Sequence, residues 1–105
     1  MEEGRDAVMK YAIEYSNFFF DDLAAITDYL SQYSSSAPRR FKSLLRDKIE
    51  NVKTMPEMYA VYPGAPEYRH IVVNRYIVIY RIDEAAKKIL MYRMLYGAQD
   101  IQRYL

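Results

Sequence analysis

The 105-residue sequence contains no cysteine and only one histidine, His70. Without cysteine the chain forms no disulfide, carries no reactive thiolate and has no cysteine-based zinc site. A lone histidine, with no second histidine and no clustered carboxylate pair, is more typical of a surface or edge residue than of a metal ligand. The adjacent Asp21 and Asp22 are better explained as charges near the positive end of a helix. We therefore expect no metal and no other cofactor.

Long apolar runs are also missing from the sequence. No stretch reaches the roughly 18 residues that a membrane-spanning helix requires. The first ten residues mix acids and bases and contain no apolar core of a signal peptide. We expect a cytoplasmic protein that contacts no membrane, with residues 1–9 as a loose extension and residues 10–105 as a single domain.

The formal net charge of +1 conceals a segregation of charge along the chain. Between residues 14 and 28 every charged side chain is acidic. Bases outnumber acids by six to two in residues 39–53 and by seven to three in residues 68–105. Such basic segments indicate an acidic partner, either nucleic acid or an acidic peptide. An ordinary solvated surface explains the same charges, and on charge alone it is the simpler interpretation.

The first half of the chain shows one strand pattern followed by two helical patterns. Residues 10–16 alternate as a half-exposed strand, and Ser16 or Asn17 is placed to cap a helix. Pro38 suits the first turn of a second helix, which Pro56 ends. The apolar residues at helical spacing are Phe19, Leu23, Ile26, Leu30 and Tyr33 in the first helix and Phe41, Leu44, Leu45, Ile49 and Val52 in the second. The polar residues 34–36 separate the two as a hinge, so an antiparallel helical hairpin is predicted.

The second half reads as an antiparallel meander of three short strands. Its runs of Ile, Val, Tyr and Met are too short and too rich in β-branched and aromatic residues for helices. Predicted strands are residues 72–73, 76–82 and 89–95, with turns at 74–75 and 83–88, a proline-rich loop at 55–66 and a short helix or tail at 98–105. The predicted fold is α+β, with the helical hairpin packed on one face of a mostly antiparallel four-stranded sheet in the order β-α-α-β-β-β.

Alternation in the middle strand assigns its side chains to two faces. Tyr76, Val78, Tyr80 and Ile82 share one face, and Arg75, Ile77, Ile79 and Arg81 share the other. The face without charge is expected to lie against the helices. The opposite face is then open and carries Arg75 and Arg81, which makes it the first place to look for function.

These elements resemble the RelE/ParE superfamily of bacterial toxins from type II toxin–antitoxin modules. The matching segments are YAIEYS at residues 11–16, Asp22-Leu23, Ile26, Tyr29, Phe41, Leu45, Ile49, Met55-Pro56, Tyr68-Arg69, RYIVIYR at residues 75–81 and RMLYGAQD at residues 93–100. Each segment is weak alone, but their order and spacing over residues 10–105 are specific, and the fold of that superfamily agrees with the predicted one.

The resemblance implies one of two activities. RelE-like members cut messenger RNA in the ribosomal A site with a basic cluster and often a C-terminal tyrosine or a histidine, whereas ParE-like members inhibit DNA gyrase. RelE-like sequences carry an arginine three residues before the middle-strand tyrosine, where this chain has Ile77. They close on His-Gly-Arg-x-Asp, where residues 96–100 are Tyr-Gly-Ala-Gln-Asp. Isoleucine offers no donors to a pentacovalent phosphate, so the chain resembles the ParE-like members more closely.

The leading hypothesis is the toxin of a type II toxin–antitoxin (plasmid stabilization) module that acts on DNA gyrase. A cognate antitoxin would neutralise it with an acidic or amphipathic segment that folds as it binds. Residues expected to bind the target or the antitoxin are Arg69, Arg75, Arg81, Arg93 and Tyr96. The alternative is a ribosome-dependent mRNA endonuclease in which Arg69, Arg75 and Arg93 bind phosphate and Tyr104 serves as the terminal tyrosine. A third interpretation is a degenerate member that only binds its antitoxin and helps to repress its own operon.

Overall fold

The computed structural model describes residues 10–97. The extension predicted at residues 1–9, the segment predicted at residues 98–105 and the candidate Tyr104 lie outside the described residues. The elements are β1 (Ala12–Tyr15), α1 (Asn17–Leu30), α2 (Ala37–Thr54), β2 (Val61–Tyr62), β3 (Ala65–Val73), β4 (Tyr76–Asp83) and β5 (Lys88–Tyr96). The α+β class and the helical hairpin on a mostly antiparallel sheet are thus confirmed.

The sheet has the strand order β1-β5-β4-β3-β2, so the first strand lies beside the last one. β1 runs parallel to β5, and all other neighbouring strands are antiparallel. α1 packs along β5, α2 packs over β3, and the two helices contact each other. The prediction of four strands is wrong by one, because the two-residue strand β2 lies inside the predicted loop at residues 55–66.

Two element boundaries also differ from the prediction by several residues. α1 ends at Leu30 and the chain turns at once, so Tyr33 lies beyond the helix with 69% of its side chain exposed. β3 begins at Ala65 and includes Pro66, well before the predicted start of its strand. Pro66 is tolerated because the ladder between β3 and β4 begins only at Arg69, so the missing N–H leaves no gap in that ladder.

The start of α1 follows the prediction. The Ser16 hydroxyl accepts a hydrogen bond from the backbone N–H of Phe19 at 3.1 Å, which caps the helix. The same hydroxyl donates to the backbone carbonyl of Tyr92 in β5. Ser16 therefore both begins the helix and ties it to the sheet.

The main core lies between the helices and one face of the sheet. It contains the predicted residues of both helices except Tyr33 and those of the uncharged face of β4, and its fully buried members include Val52, Ile71, Val78 and Tyr80. A second, smaller cluster lies on the other face of the sheet, where Ile79 and Leu95 are buried beneath tyrosines of neighbouring strands. The face predicted to be open is free of helices in the described part of the chain, but side chains of its own strands pack together on it. Neither helix within residues 10–97 is long and apolar enough to cross a membrane.

Candidate binding cleft

A cleft of about 890 Å³ lies at one end of the sheet, where the two helices meet the β3–β4 turn and the end of β5. Its lining residues are Tyr29, Leu30, Tyr33, Phe41, Asn74, Arg75, Tyr76 and Tyr96. Most of these described residues are aromatic, and Arg75 is the one charged side chain among them. Two of the predicted site residues, Arg75 and Tyr96, are therefore brought together here.

The β3–β4 turn places Arg75 at the cleft. Asn74 adopts φ 56°, a left-handed conformation that asparagine tolerates better than most residues, and this lets β3 reverse into β4 within two residues. The backbone N–H of Gly97 donates to the Arg75 carbonyl at 2.8 Å, which joins the turn to the end of β5. A side chain at Gly97 would place its Cβ only 3.2 Å from that carbonyl oxygen, so glycine suits this approach. Arg75 belongs to the turn and lines the cleft beside the helices, not the opposite face of the sheet as predicted.

The tyrosines of the cleft contact neighbouring aromatic side chains. The hydroxyls of Tyr29 and Tyr33 are 2.7 Å apart, and the ring of Tyr76 packs edge-on against Tyr96 and Phe41. The hydrogen bond with Tyr33 raises the pKa of Tyr29, and burial raises the pKa of Tyr76. Both phenols therefore stay neutral at physiological pH, and among the described lining residues the fixed charge comes from Arg75.

Arg69 lies away from the cleft and stabilises the fold. It is on the helix-facing side of β3, where its Nη1 donates to the backbone carbonyls of Tyr59 at 2.7 Å and Glu57 at 3.4 Å. Nearby, the Tyr80 hydroxyl donates to the Pro56 carbonyl at 2.6 Å, and burial raises the pKa of Tyr80 to about 12. These bonds fasten the loop after α2 to the sheet. Arg69 and the β3–β4 turn are four residues apart along the strand, roughly 13 Å, so Arg69 and Arg75 do not form one cluster.

Arg93 is engaged in an ion pair. Its Nε and Nη2 donate to the two carboxylate oxygens of Asp22 at 2.8 and 3.0 Å, and its guanidinium lies 5.1 Å from the ring centre of Phe18. Asp22 lies beyond the first turn of α1, so its explanation as a charge near the helix terminus is wrong. Its partner is 71 residues away in sequence. The spacing of the two residues in the sequence does not indicate this ion pair, because the pair forms only when α1 packs against β5.

Arg81 is the one candidate arginine on the helix-free face. Its guanidinium lies 5.9 Å from the ring centre of Tyr68, which in turn packs on Tyr92 at 5.6 Å. Ile77 is half-buried on this face beside Ile79 and Leu95. The four candidate arginines thus occupy four separate environments, and they provide no common phosphate clamp.

His70 also lies on the helix-free face. Its ring packs edge-on against Tyr62 at 5.4 Å, and its Nδ1 is buried without a hydrogen-bond partner among the described residues. No three histidine, aspartate or glutamate side chains in residues 10–97 are grouped closely enough to hold a metal ion.

Sequence reasoning missed most of the cleft. The sequence predicts packing roles for Tyr33, Phe41 and Tyr76 and offers Tyr29 only as part of the family resemblance, so of the lining residues only Arg75 and Tyr96 are predicted site residues. The four-residue spacing of Tyr29 and Tyr33 is a signal for two rings on one side of a helix. It does not reveal that α2 and the β3–β4 turn close the cleft around them. A concave aromatic surface with one cation is suited to binding rather than to bond cleavage.

A comparison with protein families finds a match over most of the chain. The family model described as the ParE toxin of the type II toxin–antitoxin system parDE matches residues 13–101. No curated protein sequence matches the chain.

Solved structures share the fold at low sequence identity. The chromosomal ParDE system from P. aeruginosa matches with a TM-score of 0.64 and 17% identity, over 85% of this chain and 96% of that one. The toxin–antitoxin complex RelBE2 from Mycobacterium tuberculosis matches with a TM-score of 0.61 and 14% identity, over 87% and 95% of the two chains. The intact E. coli RelBE toxin–antitoxin complex gives a TM-score of 0.57 and 13% identity, over 85% and 99%. At such identities these likenesses establish the fold alone.

Proposed function

Because the chain belongs to the ParE toxin family of type II toxin–antitoxin systems, we propose that it inhibits DNA gyrase by protein–protein contact and that a cognate antitoxin neutralises it. The observation that carries the proposal is the dispersal of the candidate arginines. A nuclease of the RelE-like kind needs a positioned phosphate clamp. Here Arg69 is bonded to the carbonyls of a loop and Arg93 is bonded to Asp22.

The environment of Ile77 supports the same proposal. RelE-like sequences carry an arginine at this strand position, whereas Ile77 packs with the buried residues Ile79 and Leu95. Its side chain is part of a hydrophobic cluster and offers no hydrogen-bond donor to a phosphate. The surface that would hold the reacting phosphate in a RelE-like enzyme is thus used for packing in this chain.

The antitoxin part of the proposal is supported by charge. Along α2, the exposed side chains of Arg39, Arg40, Lys42 and Arg46 precede the first acid of the helix, Asp47. An acidic antitoxin segment would be attracted to this basic helix and to Arg75. The similar structures from P. aeruginosa, M. tuberculosis and E. coli are themselves toxin–antitoxin systems or complexes.

The deciding experiment is a pair of assays on one preparation of the full chain. In a supercoiling assay with purified gyrase and relaxed plasmid, we expect inhibition or trapped cleavage complexes, and we expect addition of the antitoxin to reverse the effect. With translating ribosomes and a defined messenger RNA, we expect the message to remain intact. Cuts at A-site codons would replace the gyrase proposal with the endonuclease alternative.

Growth of cells that express the chain is the control for both assays. Expression of the chain alone is expected to arrest cells, and coexpression of the antitoxin is expected to restore growth. Normal growth on expression alone would contradict both toxic activities and would favour a chain that only binds its antitoxin.

A further inference from the structure

The cleft at the end of the sheet combines a buried apolar floor with an exposed rim. Phe41 is 2% exposed and Tyr76 is 9% exposed, and both form the floor together with Leu30. On the rim, Tyr29 and Tyr33 expose 48% and 69% of their side chains. Rings on the rim of a concave apolar surface, with a guanidinium beside them, form the residue combination that dominates protein-recognition sites.

Arg75 is expected to make the cleft selective for partners that carry an anion. It is exposed and makes no ion pair or side-chain hydrogen bond with any described residue, whereas Arg69 and Arg93 are both engaged in the fold. None of the described lining residues is an acid. A partner that covers Arg75 must supply an anion or leave a desolvated charge without compensation, which would weaken the complex strongly.

The size and charge of the cleft select the class of partner. A volume of about 890 Å³ holds several side chains rather than a single small group. One guanidinium is too few for a nucleic-acid backbone, which is held by a series of cations. A second, smaller cleft of about 340 Å³ beside Met55 and Met58 is lined by Glu57 and Glu84, so it repels the same acidic partner.

We propose that this cleft anchors the antitoxin through a carboxylate that pairs with Arg75 and an adjacent large apolar side chain that packs on Phe41 beside Tyr29 and Tyr33. This inference rests on the proposed neutralisation by an antitoxin and adds the site and the chemistry of the anchor. Arg39 and Arg40, which are exposed in the first turn of α2 and precede Phe41 in sequence, add positive charge that favours an acidic partner.

The test is a charge-reversal series on the full-length toxin, with the dissociation constant for the full-length antitoxin measured by calorimetry. Arg75→Glu is expected to weaken binding about tenfold to a hundredfold. The control is Lys87→Glu, which reverses an exposed cation in the turn between β4 and β5, at the other end of the sheet from the cleft, and is expected to change the affinity less than about twofold. An acid-to-lysine substitution in the antitoxin that restores binding to Arg75→Glu, but not to wild-type toxin, would identify the partner carboxylate.

Each contrary outcome has its own meaning. Failure of the wild-type toxin to bind would contradict the proposed neutralisation and remove the basis of the inference. Unchanged affinity of Arg75→Glu, with wild-type binding intact, would overturn the cleft assignment alone. If that variant instead lowers self-association in sedimentation, the occupant is a second copy of the chain. If it lowers the stability of the full chain but not of a chain ending at Gly97, the occupant is the chain's own residues 98–105. Either result would make the proposal wrong.

Discussion

The carboxylate of Asp22 in α1 accepts three hydrogen bonds from β5, two of them from the guanidinium of Arg93 at 2.8 and 3.0 Å. The third comes from the backbone N–H of Met94 at 2.9 Å. Both charged side chains are largely buried, with 17% of Arg93 and 14% of Asp22 exposed. The ladder between β1 and β5 ends at Met91, and beyond it Asp22 takes the place of a neighbouring strand. The ion pair therefore closes a sheet edge and aligns α1 with β5.

Asp22→Ala is expected to lower the free energy of unfolding by about 3 kcal/mol. The substitution removes the carboxylate of a largely buried ion pair and leaves the Met94 N–H without its acceptor. Urea unfolding followed by circular dichroism measures the change. Asp21→Ala is the control, because the adjacent Asp21 is exposed, and its effect is expected to stay within about 0.5 kcal/mol. Equal effects of the two substitutions would show that the Asp22–Arg93 pair does not stabilise the fold.

Ser16→Ala is expected to cost about 1–2 kcal/mol of stability, at the upper end for a helix cap. The hydroxyl that is lost both accepts from the Phe19 N–H and donates to the Tyr92 carbonyl. Thermal and urea unfolding are the measurements. Ser43→Ala, at an exposed position of α2, is the matched control and is expected to leave stability unchanged or slightly raised, since alanine is the better helix former. A cost no larger than that of the control would mean that Ser16 does not cap α1.

Ile79→Ala is expected to destabilise the protein by about 2–4 kcal/mol, although Ile79 lies on the face without helices. Its side chain is fully buried with Leu95 beneath tyrosines of β2, β3 and β5, so its truncation leaves a cavity. Val72→Ala on the same face is the comparison, because Val72 is 54% exposed and is expected to cost less than about 1 kcal/mol. Similar small costs for both would indicate that this face carries no core of its own.

Alkaline pH is expected to destabilise the protein through Tyr80. Burial raises the pKa of Tyr80 in the folded state to about 12, above the ordinary value of 10.0. Its contribution is therefore fully present below pH 10 and is lost as the pH rises from about 10 to 12. The loss amounts to roughly 2–3 kcal/mol.

Tyr80→Phe tests this dependence. The variant loses the hydrogen bond to the Pro56 carbonyl and is expected to be about 1 kcal/mol less stable near neutral pH. Its free energy of unfolding is expected to fall less steeply between pH 10 and 12 than that of the wild type. Tyr68→Phe, whose ring contacts Tyr92, is the control for removal of a tyrosine hydroxyl. Parallel curves for wild type and Tyr80→Phe would contradict the role of Tyr80.

Much of the fold was predictable because its signals are local. Helical spacing of Phe41, Leu45 and Ile49, and the alternation around Val78 and Tyr80, report which side of each element is buried. The cap at Ser16 and the turn at Asn74-Arg75 are likewise local. The two-residue strand β2 escaped prediction because it exists only through pairing with β3, and the proline and glycine beside it indicate a loop.

The candidate site was predictable only in part. Arg75 and Tyr96 line the cleft, whereas Arg69 and Arg93 hydrogen-bond within the fold, and a binding role for any of the four stays a prediction. An arginine in an apolar strand is conspicuous in a sequence, yet its role depends on the acceptor that it meets. For Arg93 that acceptor is Asp22, and for Arg69 it is the carbonyl of Tyr59.

The sequence by itself determined the helices, most of the strands, the buried face of β4 and the resemblance to RelE/ParE toxins, because side-chain periodicity and short motifs are properties of neighbouring residues. Only the tertiary structure decided which arginines are available for a partner. Packing of α1 against β5 gives Arg93 a carboxylate, the loop after α2 gives Arg69 its carbonyls, and the turn between β3 and β4 leaves Arg75 exposed in an aromatic cleft. Burial and pairing of a charge depend on residues that are distant along the chain, so no local pattern specifies them.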